Sequence, residues 1–383
     1  MSIYLDYNAS APIDNRVLDK MIDVYKNSFG NADSRTHMYG ERAREVVENA
    51  RKQVASLLGV KTDEIFFTSG ATESNNIAIQ GLVDYAKKTG KKHIITTSIE
   101  HKAVLETIKN LKKQGFEVDY INPDKSGRVR TEEVISKVKD TTLLVSVMHV
   151  NNETGIIQPV YEIGEKLAGK DVLFHTDATQ SCGKLVEEIR VLKYNMLTFS
   201  AHKLGGPQGV GVLVLRRKSY RLPPVQAIQF GGSQERGVRP GTVPVALVAG
   251  CGEACKIAET EYKKNEVAAK KIKEVILEEL NKSGLKYLVN GNLDYGVDTT
   301  LNICLEGVSS EALMISSKQY CGVSNGSACT SKSYSPSYVL LAMGISEDQI
   351  ENSIRISWGA DSDIEEVQKQ IRELFAIAKQ ICG

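Results

Sequence analysis

The 383-residue sequence lacks several features that would place it in a broad functional class. Its charges balance, with 48 basic and 47 acidic residues, so bulk electrostatics give no case for nucleic-acid or membrane binding. No apolar run approaches the ~20 residues that span a membrane, and residues 1–7 lack the charged start and apolar core of a signal peptide. These absences favour a soluble, cytoplasmic protein.

Cysteine is also scarce. Seven cysteines, an odd number without C-x-x-C spacing, argue against both a disulfide framework and a structural zinc site. Cys251 and Cys255 lie one helical turn apart in an apolar stretch and are most simply core residues. We therefore expect a reduced protein with no metal site.

Apolar runs of strand length alternate with helical patterns over the first two thirds of the chain. The runs cover residues 64–68, 93–98, 116–121, 142–150, 172–176, 196–200 and 210–215. This alternation predicts an α/β fold with a mostly parallel sheet and helices on both faces. Ligands of such sheets bind at the carboxyl ends of the strands, where Thr72, Asn152, Asp177 and Lys203 are expected to lie.

The last third has a different pattern. A long helical stretch from about residue 241 leads to predicted strands at 299–305 and 354–358 and predicted helices at 311–318 and 363–381. This pattern predicts a second, smaller α/β domain.

Residues 198–209, TFSAHKLGGPQG, place Lys203 at the end of an apolar run and before a glycine-rich turn. A crowded lysine loses its proton more easily, and its neutral amine can form a Schiff base with a carbonyl cofactor. An ordinary surface lysine would be the default interpretation. Asp177, which ends the run 172–174 and its extension HTD, favours the cofactor instead, because a protonated pyridine nitrogen is a suitable partner for a buried carboxylate. A helix N-cap is the alternative for Asp177.

Two further segments carry candidate site residues. A strand, a small-residue turn and a helix start at 64–82 would present backbone N–H groups to an anion, a weak signal and not a Walker loop. Cys329, within SNGSACTS, has little apolar cover and is a candidate reactive cysteine, with an incidental loop cysteine as the alternative. The segment runs into a predicted helix at 338–343.

Ten motifs in order resemble those of NifS/IscS-type cysteine desulfurases in the class-V aminotransferase family. They are YLDYNASAP, GNADSRTHMYG, FTSGATESNN, TSIEHKAVL, VNNETGIIQP, HTDATQS, SAHKLGGPQGVG, QERGVRPGT, SNGSACTS and IRISWG. The resemblance implies pyridoxal 5′-phosphate (PLP) as cofactor and fold type I of the PLP-dependent transferases. It implies a large domain over residues 15–255 with a seven-stranded sheet, and a small domain formed by residues 1–14 with 256–383.

The resemblance also implies residue roles. Lys203 would hold PLP covalently, Asp177 would keep the pyridine nitrogen protonated, and Gln180 would donate to the phenolic oxygen. His101 would stack on the ring and move protons, although a helix-capping histidine is the alternative. The phosphate would be held by Ala71, Thr72, Ser200 and His202, and by Thr242 of the neighbouring subunit, which implies a homodimer.

The substrate L-cysteine would be held through its carboxylate by Asn152 and Arg355, although Arg355 could also be a surface strand residue. Cys329 would be the nucleophile that takes the substrate sulfur and carries it as a persulfide. It would also be a candidate transient ligand of an iron–sulfur cluster. An acceptor protein would then take the sulfur for iron–sulfur cluster assembly, tRNA thiolation or DNA phosphorothioation. The chain ends without the C-terminal tail that IscS proteins use for docking, which disfavours an IscU-type acceptor.

Two other functions remain open at this point. One is a selenocysteine lyase or another PLP-dependent C–S lyase, in which Cys329 is dispensable. The other is a sulfur-relay scaffold without enzymatic activity. Intact Lys203, Asp177, His101 and Cys329 argue against the scaffold.

Overall fold

The computed structural model describes residues 2–218, 220–325 and 336–382. Its strands are β1 (Ile3–Tyr4), β2 (Ile65–Thr68), β3 (His93–Thr97), β4 (Glu117–Ile121), β5 (Thr142–Ser146), β6 (Leu173–Asp177), β7 (Met196–Ser200), β8 (Gly211–Leu215), β9 (Tyr287–Val289), β10 (Thr300–Leu305), β11 (Cys321–Gly322) and β12 (Ser353–Ser357). The helices are α1 (Asn15–Asn27), α2 (Met38–Leu58), α3 (Ala71–Gln80), α4 (Val83–Thr89), α5 (Lys102–Lys113), α6 (Thr131–Ser136), α7 (Val160–Leu167), α8 (Val186–Val191), α9 (Val245–Ser283), α10 (Ser310–Ser317), α11 (Tyr338–Ala342), α12 (Glu347–Glu351) and α13 (Ile364–Cys382). Short 3₁₀ helices cover Thr62–Glu64, Ala201–Lys203, Gln234–Gly237 and Leu293–Tyr295.

Seven of the strands form one sheet in the order β2-β8-β7-β6-β5-β3-β4. The neighbours from β7 to β4 pair in parallel, and β8 alone runs antiparallel to β2 and β7. Both faces of the sheet are covered by hydrophobic layers, because Ile65 and Phe67 of one strand pack in one layer and Phe66 packs in the other. Together these layers form the first hydrophobic core. The predicted α/β fold with a mostly parallel seven-stranded sheet is confirmed.

Two predicted boundaries differ from the observed ones by more than one residue. The run 142–150 leaves the regular strand after Ser146, although Val147 and His149 still donate backbone hydrogen bonds to β6 at 3.1 and 2.9 Å. The long helix begins at Val245 instead of near 241, directly after Pro244. Proline restricts the residue before it to extended conformations and donates no backbone hydrogen bond, so the helix starts behind it.

A second hydrophobic core lies in the C-terminal third. The antiparallel strands β12-β10-β9 form its sheet, and α13 packs on it through Val367, Ile371 and Leu374. The N-terminus joins this core, since β1 pairs with β11 and Leu5 is fully buried there. Helix α9 enters both cores, the first up to Ala258 and the second from Ala269.

None of the helices in the described ranges combines the length and apolar character needed to cross a membrane. The six cysteines in these ranges are free thiols, and all but Cys382 are buried.

Candidate active site

A cavity of about 680 Å³ opens at the carboxyl ends of the central strands, where the two cores meet. All but two of the predicted site residues line it: Ala71, Thr72, His101, Asn152, Asp177, Gln180, Ser200, His202, Lys203 and Arg355. The two others are Thr242, which is exposed and does not line this cavity, and Cys329, which lies outside the described residues.

The sheet places Asp177 and Lys203 on one edge of the cavity. Asp177 is the last residue of β6, and Lys203 ends the 3₁₀ turn that follows the neighbouring strand β7. No helix of the described chain begins at Asp177, so the alternative of a helix N-cap does not hold. Lys203 Nζ donates to the backbone oxygens of Asn8 and Ala9, both at 2.5 Å, so its amine faces the cavity wall built by the N-terminal segment.

Burial, reinforced by the nearby Arg355 and Lys184 charges, lowers the pKa of Lys203 to about 8. An amine with this pKa has a neutral fraction near neutral pH that an ordinary lysine lacks. It is therefore suited to attack a carbonyl carbon.

The Asp177 carboxylate is 4% exposed, and its partners are neutral. It accepts hydrogen bonds from Asn75 Nδ2 at 2.7 Å and from the Thr179 N–H at 2.9 Å. Within the described chain, no Lys, Arg or His nitrogen lies within ion-pair distance of it. A buried carboxylate without a cation is costly, so the site is suited to a cofactor that brings a protonated nitrogen.

Several other polar atoms of the cavity wall have no partner within the described chain. Gln180 Oε1 and Asn152 Oδ1 are buried and make no hydrogen bond there. Buried polar atoms in native proteins are normally paired, so both are available to a bound molecule. The cation-free carboxylate fits the protonated ring nitrogen of PLP, and the two amide oxygens can accept hydrogen bonds from a bound molecule.

The phosphate-binding segment has the predicted strand–turn–helix form. Gly70, with φ of 155°, precedes α3 and allows the chain to turn so that Ala71 and Thr72 begin the helix at the cavity. Ser200 and His202 face the same cavity from β7 and its following turn. Burial, and secondarily the Lys203 charge, lowers the pKa of His202 to about 4, so its ring is neutral near pH 7.

His101 both lines the cavity and caps a helix. Its Nδ1 accepts a hydrogen bond from the Ala103 N–H at 3.1 Å at the start of α5. The helix-capping alternative thus describes one ring nitrogen and leaves Nε2 unassigned. Burial lowers the pKa of His101, which favours a neutral imidazole.

Arg355 is not a surface arginine, since it is 5% exposed on β12. Its Nη2 donates to Asp6 Oδ1 at 2.6 Å and its Nη1 to the Asn152 backbone oxygen at 3.0 Å. Its Nε is buried without a partner in the described chain. Arg355 brings a positive charge from the second core to the cavity.

Residues that the sequence analysis did not single out also shape the site. Asp6 orients Arg355, Asn8 binds Lys203 through its backbone oxygen, and Asn75 binds Asp177. Asp6 and Asn8 lie in the quoted motif YLDYNASAP and Asn75 in FTSGATESNN. Motif membership was the available signal, but it indicated no role for them.

The segment that carries Cys329 has one described end in the cavity wall and the other bonded to residues that directly adjoin the lining residues Asn152 and His101. Ser324 lines the cavity and exchanges two backbone hydrogen bonds with Arg355, at 3.1 and 2.5 Å. At the other end, Ser337 Oγ donates to the buried Glu153 carboxylate at 2.5 Å, and the Tyr338 hydroxyl donates to the Glu100 backbone oxygen at 2.8 Å.

Comparison with known proteins agrees with this geometry. The family pattern "Aminotransferase class-V" matches residues 3–369. The chain is 43% identical to a cysteine desulfurase IscS of Vibrio vulnificus over 383 residues, covering 99% of this chain and 93% of the relative. Two solved structures superpose on nearly the whole fold. A NifS-like protein has a TM-score of 0.91 and 36% identity, with 99% of this chain and 100% of that one covered. SspA in complex with cysteine has a TM-score of 0.81 and 36% identity, with 92% and 98% covered. The chain therefore belongs to the class-V aminotransferase family and, within it, to the PLP-dependent cysteine desulfurases of the NifS/IscS type.

Proposed function

We propose that this chain takes the sulfur atom from L-cysteine, releases L-alanine, and passes the sulfur as a persulfide of Cys329 to an acceptor protein. One observation carries the proposal. A lysine of lowered pKa, a cation-free buried aspartate and a buried arginine line one cavity, and both described ends of the Cys329 segment adjoin it.

Bound PLP supplies an electron sink for the bond changes at an amino acid's Cα and Cβ. Lys203 would hold it covalently and would be free to act as a base once substrate is bound. Asp177 would accept from the protonated ring nitrogen, Gln180 would donate to the phenolic oxygen, and the phosphate would be held by Ala71, Thr72, Ser200 and His202. The lining of one cavity by these residues and the cation-free Asp177 carboxylate support this assignment.

Arg355 and Asn152 bind the carboxylate of L-cysteine and so place its Cα near Lys203 and His101. The guanidinium, already fixed by Asp6, pays little ordering entropy when the carboxylate binds. Because its Nδ1 accepts from the Ala103 N–H, the neutral imidazole of His101 carries its proton on Nε2 and can donate it to the substrate and later take it back.

The sulfur step balances without an external oxidant or reductant. The Cys329 thiolate attacks the substrate sulfur, an S–S bond forms, and the substrate C–S bond breaks. The electron pair of the C–S bond goes to the substrate carbon, which takes up one proton to give alanine, and the second proton remains with the persulfide. L-cysteine plus the Cys329 thiol thus give L-alanine plus the Cys329 persulfide.

The active unit in this proposal is a cytoplasmic homodimer with the domain division 15–255 and 1–14 with 256–383. Support comes from Thr242, which is exposed and lies away from its own chain's cavity, as a residue serving a neighbouring subunit would. Exposed aromatic side chains, Phe29 at 66% and Phe230 at 93%, support burial against a second copy. The buried free thiols fit a reducing compartment.

The test is L-alanine formation from L-cysteine with a reductant present, for the wild type, Cys329→Ala and the control Cys382→Ala. Cys382 is an exposed thiol that contacts the Glu306 backbone oxygen, away from the cavity. We expect Cys329→Ala to lose alanine formation while the yellow cofactor stays bound, and Cys382→Ala to keep both. Undiminished alanine formation by Cys329→Ala would refute the thiol mechanism and make selenocysteine turnover the next assay.

A further inference from the structure

A row of buried polar side chains leads through the sheet to Asp177. Ser146 Oγ lies 2.8 Å from His175 Nδ1, and His175 Nε2 lies 3.3 Å from Thr198 Oγ1. Thr198 Oγ1 donates to Asn75 Oδ1 at 2.6 Å, and Asn75 Nδ2 donates to Asp177 at 2.7 Å. The first four residues of the row are fully buried.

The directions of the hydrogen bonds from His175 to Asp177 follow from the one next to the carboxylate, and that of the Ser146 contact follows once the His175 ring is neutral. An ionised carboxylate only accepts, so the Asn75 amide must turn Nδ2 to Asp177 and Oδ1 to Thr198. The single Thr198 hydroxyl proton is then used, and the contact with His175 requires His175 Nε2–H as donor. His175 Nδ1 is left as an acceptor for the Ser146 hydroxyl.

This arrangement requires a neutral His175. Burial lowers the pKa of His175 to about 4, which agrees with a neutral ring that carries its proton on Nε2. Four neutral groups are thus aligned so that each presents its positive end toward Asp177. Aligned hydrogen bonds polarise one another, and donors to a carboxylate favour its ionised form.

We propose that Asn75, Thr198 and His175 are positioning residues that orient the Asp177 carboxylate toward the cavity as a hydrogen-bond acceptor, and so keep the proton on the ring nitrogen of bound PLP. The inference rests on the role of Asp177 in the proposed function and deepens it. The row acts only through Asp177, because its other members are buried and do not line the cavity.

The structure provides a matched control on the same strand. Thr176 lies between His175 and Asp177 on β6, and successive side chains of a strand point to opposite faces. Thr176 is fully buried, and its Oγ1 has no partner in the described chain. Thr198→Val inside the row and Thr176→Val outside it are therefore the same nearly isosteric change.

The experiment measures two quantities for apoprotein reloaded with PLP labelled with ¹⁵N at the ring: the dissociation constant and the nitrogen chemical shift. The loss of a hydrogen bond to a charged group predicts about 10- to 100-fold weaker PLP binding in Asn75→Ala, with the ¹⁵N shift moved toward unprotonated pyridine. One step further from Asp177, Thr198→Val should weaken binding about 2- to 10-fold with a smaller shift. Thr176→Val should change neither.

Equal effects of Thr198→Val and Thr176→Val, or weaker binding without a change in ¹⁵N shift in Thr198→Val, would overturn the proposal. Thr198→Val keeps the side-chain volume, so the test stands even where Asn75→Ala fails to fold. Asp177→Ala separates this inference from the proposed function. If Asp177→Ala leaves PLP binding and the ¹⁵N shift unchanged, the role of Asp177 in the proposed function is refuted. If Asp177→Ala changes both and Thr198→Val changes neither, only the proposed role of the row is refuted.

Discussion

The two sides of the catalytic cavity are held in place by different means. On the sheet side, Asp177 and Lys203 follow adjacent strands of one sheet, 26 positions apart in the chain. On the opposite side, Arg355 contacts Asp6 and Asn152, which are 349 and 203 positions away in sequence. Asp177 and Lys203 are positioned by adjacent strands of one sheet, whereas Arg355 reaches Asn152 only when the two cores meet. Cofactor binding should therefore survive changes that abolish substrate binding.

The largest expected effect is on the sheet side. Lys203→Ala should lower the rate of alanine formation at least about a thousandfold, because the covalent link to PLP and a proton carrier are lost together. Lys184→Ala removes another lysine whose pKa burial lowers to about 8, and it should retain alanine formation, with the pKa of Lys203 raised because the Lys184 charge is lost. Borohydride reduction followed by peptide mass mapping should label Lys203 and not Lys184.

The same lysine gives a pH dependence. With the pKa of Lys203 lowered to about 8, the neutral amine fraction rises about tenfold per pH unit below that value and levels off above it. The rate of PLP attachment to apoprotein should follow this curve. A rate that is flat between about pH 6 and 8 would contradict the lowered pKa.

The second prediction breaks the opposite side and leaves the sheet side intact. Arg355→Lys removes the planar fork, so kcat/KM for L-cysteine should fall about 10- to 100-fold while PLP affinity stays unchanged. Arg372→Lys is the control, because Arg372 is an exposed arginine that pairs with Glu279 away from the cavity. Loss of PLP together with cysteine turnover would show that the two sides are not separable.

A smaller effect is expected at the end of the Cys329 segment. Glu153→Ala removes the acceptor of Ser337, whereas Glu153→Gln keeps an oxygen there. Alanine formation should slow about three- to tenfold in the alanine variant and much less in the glutamine variant. Spectral titration with L-cysteine should show unchanged substrate binding in both, and weakened binding would instead assign Glu153 to the substrate side.

The smallest effect concerns stability. Burial raises the pKa of Glu100 to about 8 from 4.5, so between these values the folded protein holds a proton that the unfolded chain releases. The free energy of unfolding should therefore fall as pH rises through this window. Glu100→Gln lacks the titrating group, so its urea midpoint should fall less. By about pH 8 the difference should reach on the order of 1–3 kcal/mol, and parallel pH curves would refute it.

The sequence predicted the parts of the site that depend on nearby residues. Asp177 and Lys203 could be placed at one edge because each follows an apolar run, and parallel strands align their carboxyl ends. The pairing of Arg355 with Asp6 could not be predicted, because no pattern indicates how a strand of the second core docks on the N-terminal segment. Asn75 was missed for a related reason, because a buried amide within a helix has no periodic signature. Its importance is evident only from its hydrogen bonds to Thr198 and Asp177, which are distant in sequence.

Helix α9 has a mechanical consequence. Between Ala258 and Ala269, where it passes from one core to the other, none of its residues is buried. Almost three turns there add no buried side chain to either core, and exposed or half-buried pairs such as Arg16–Glu261 and Tyr262–Glu187 connect them to the rest of the chain. A slight bend of the helix in this stretch would move Arg355 toward or away from Lys203 without unfolding either core.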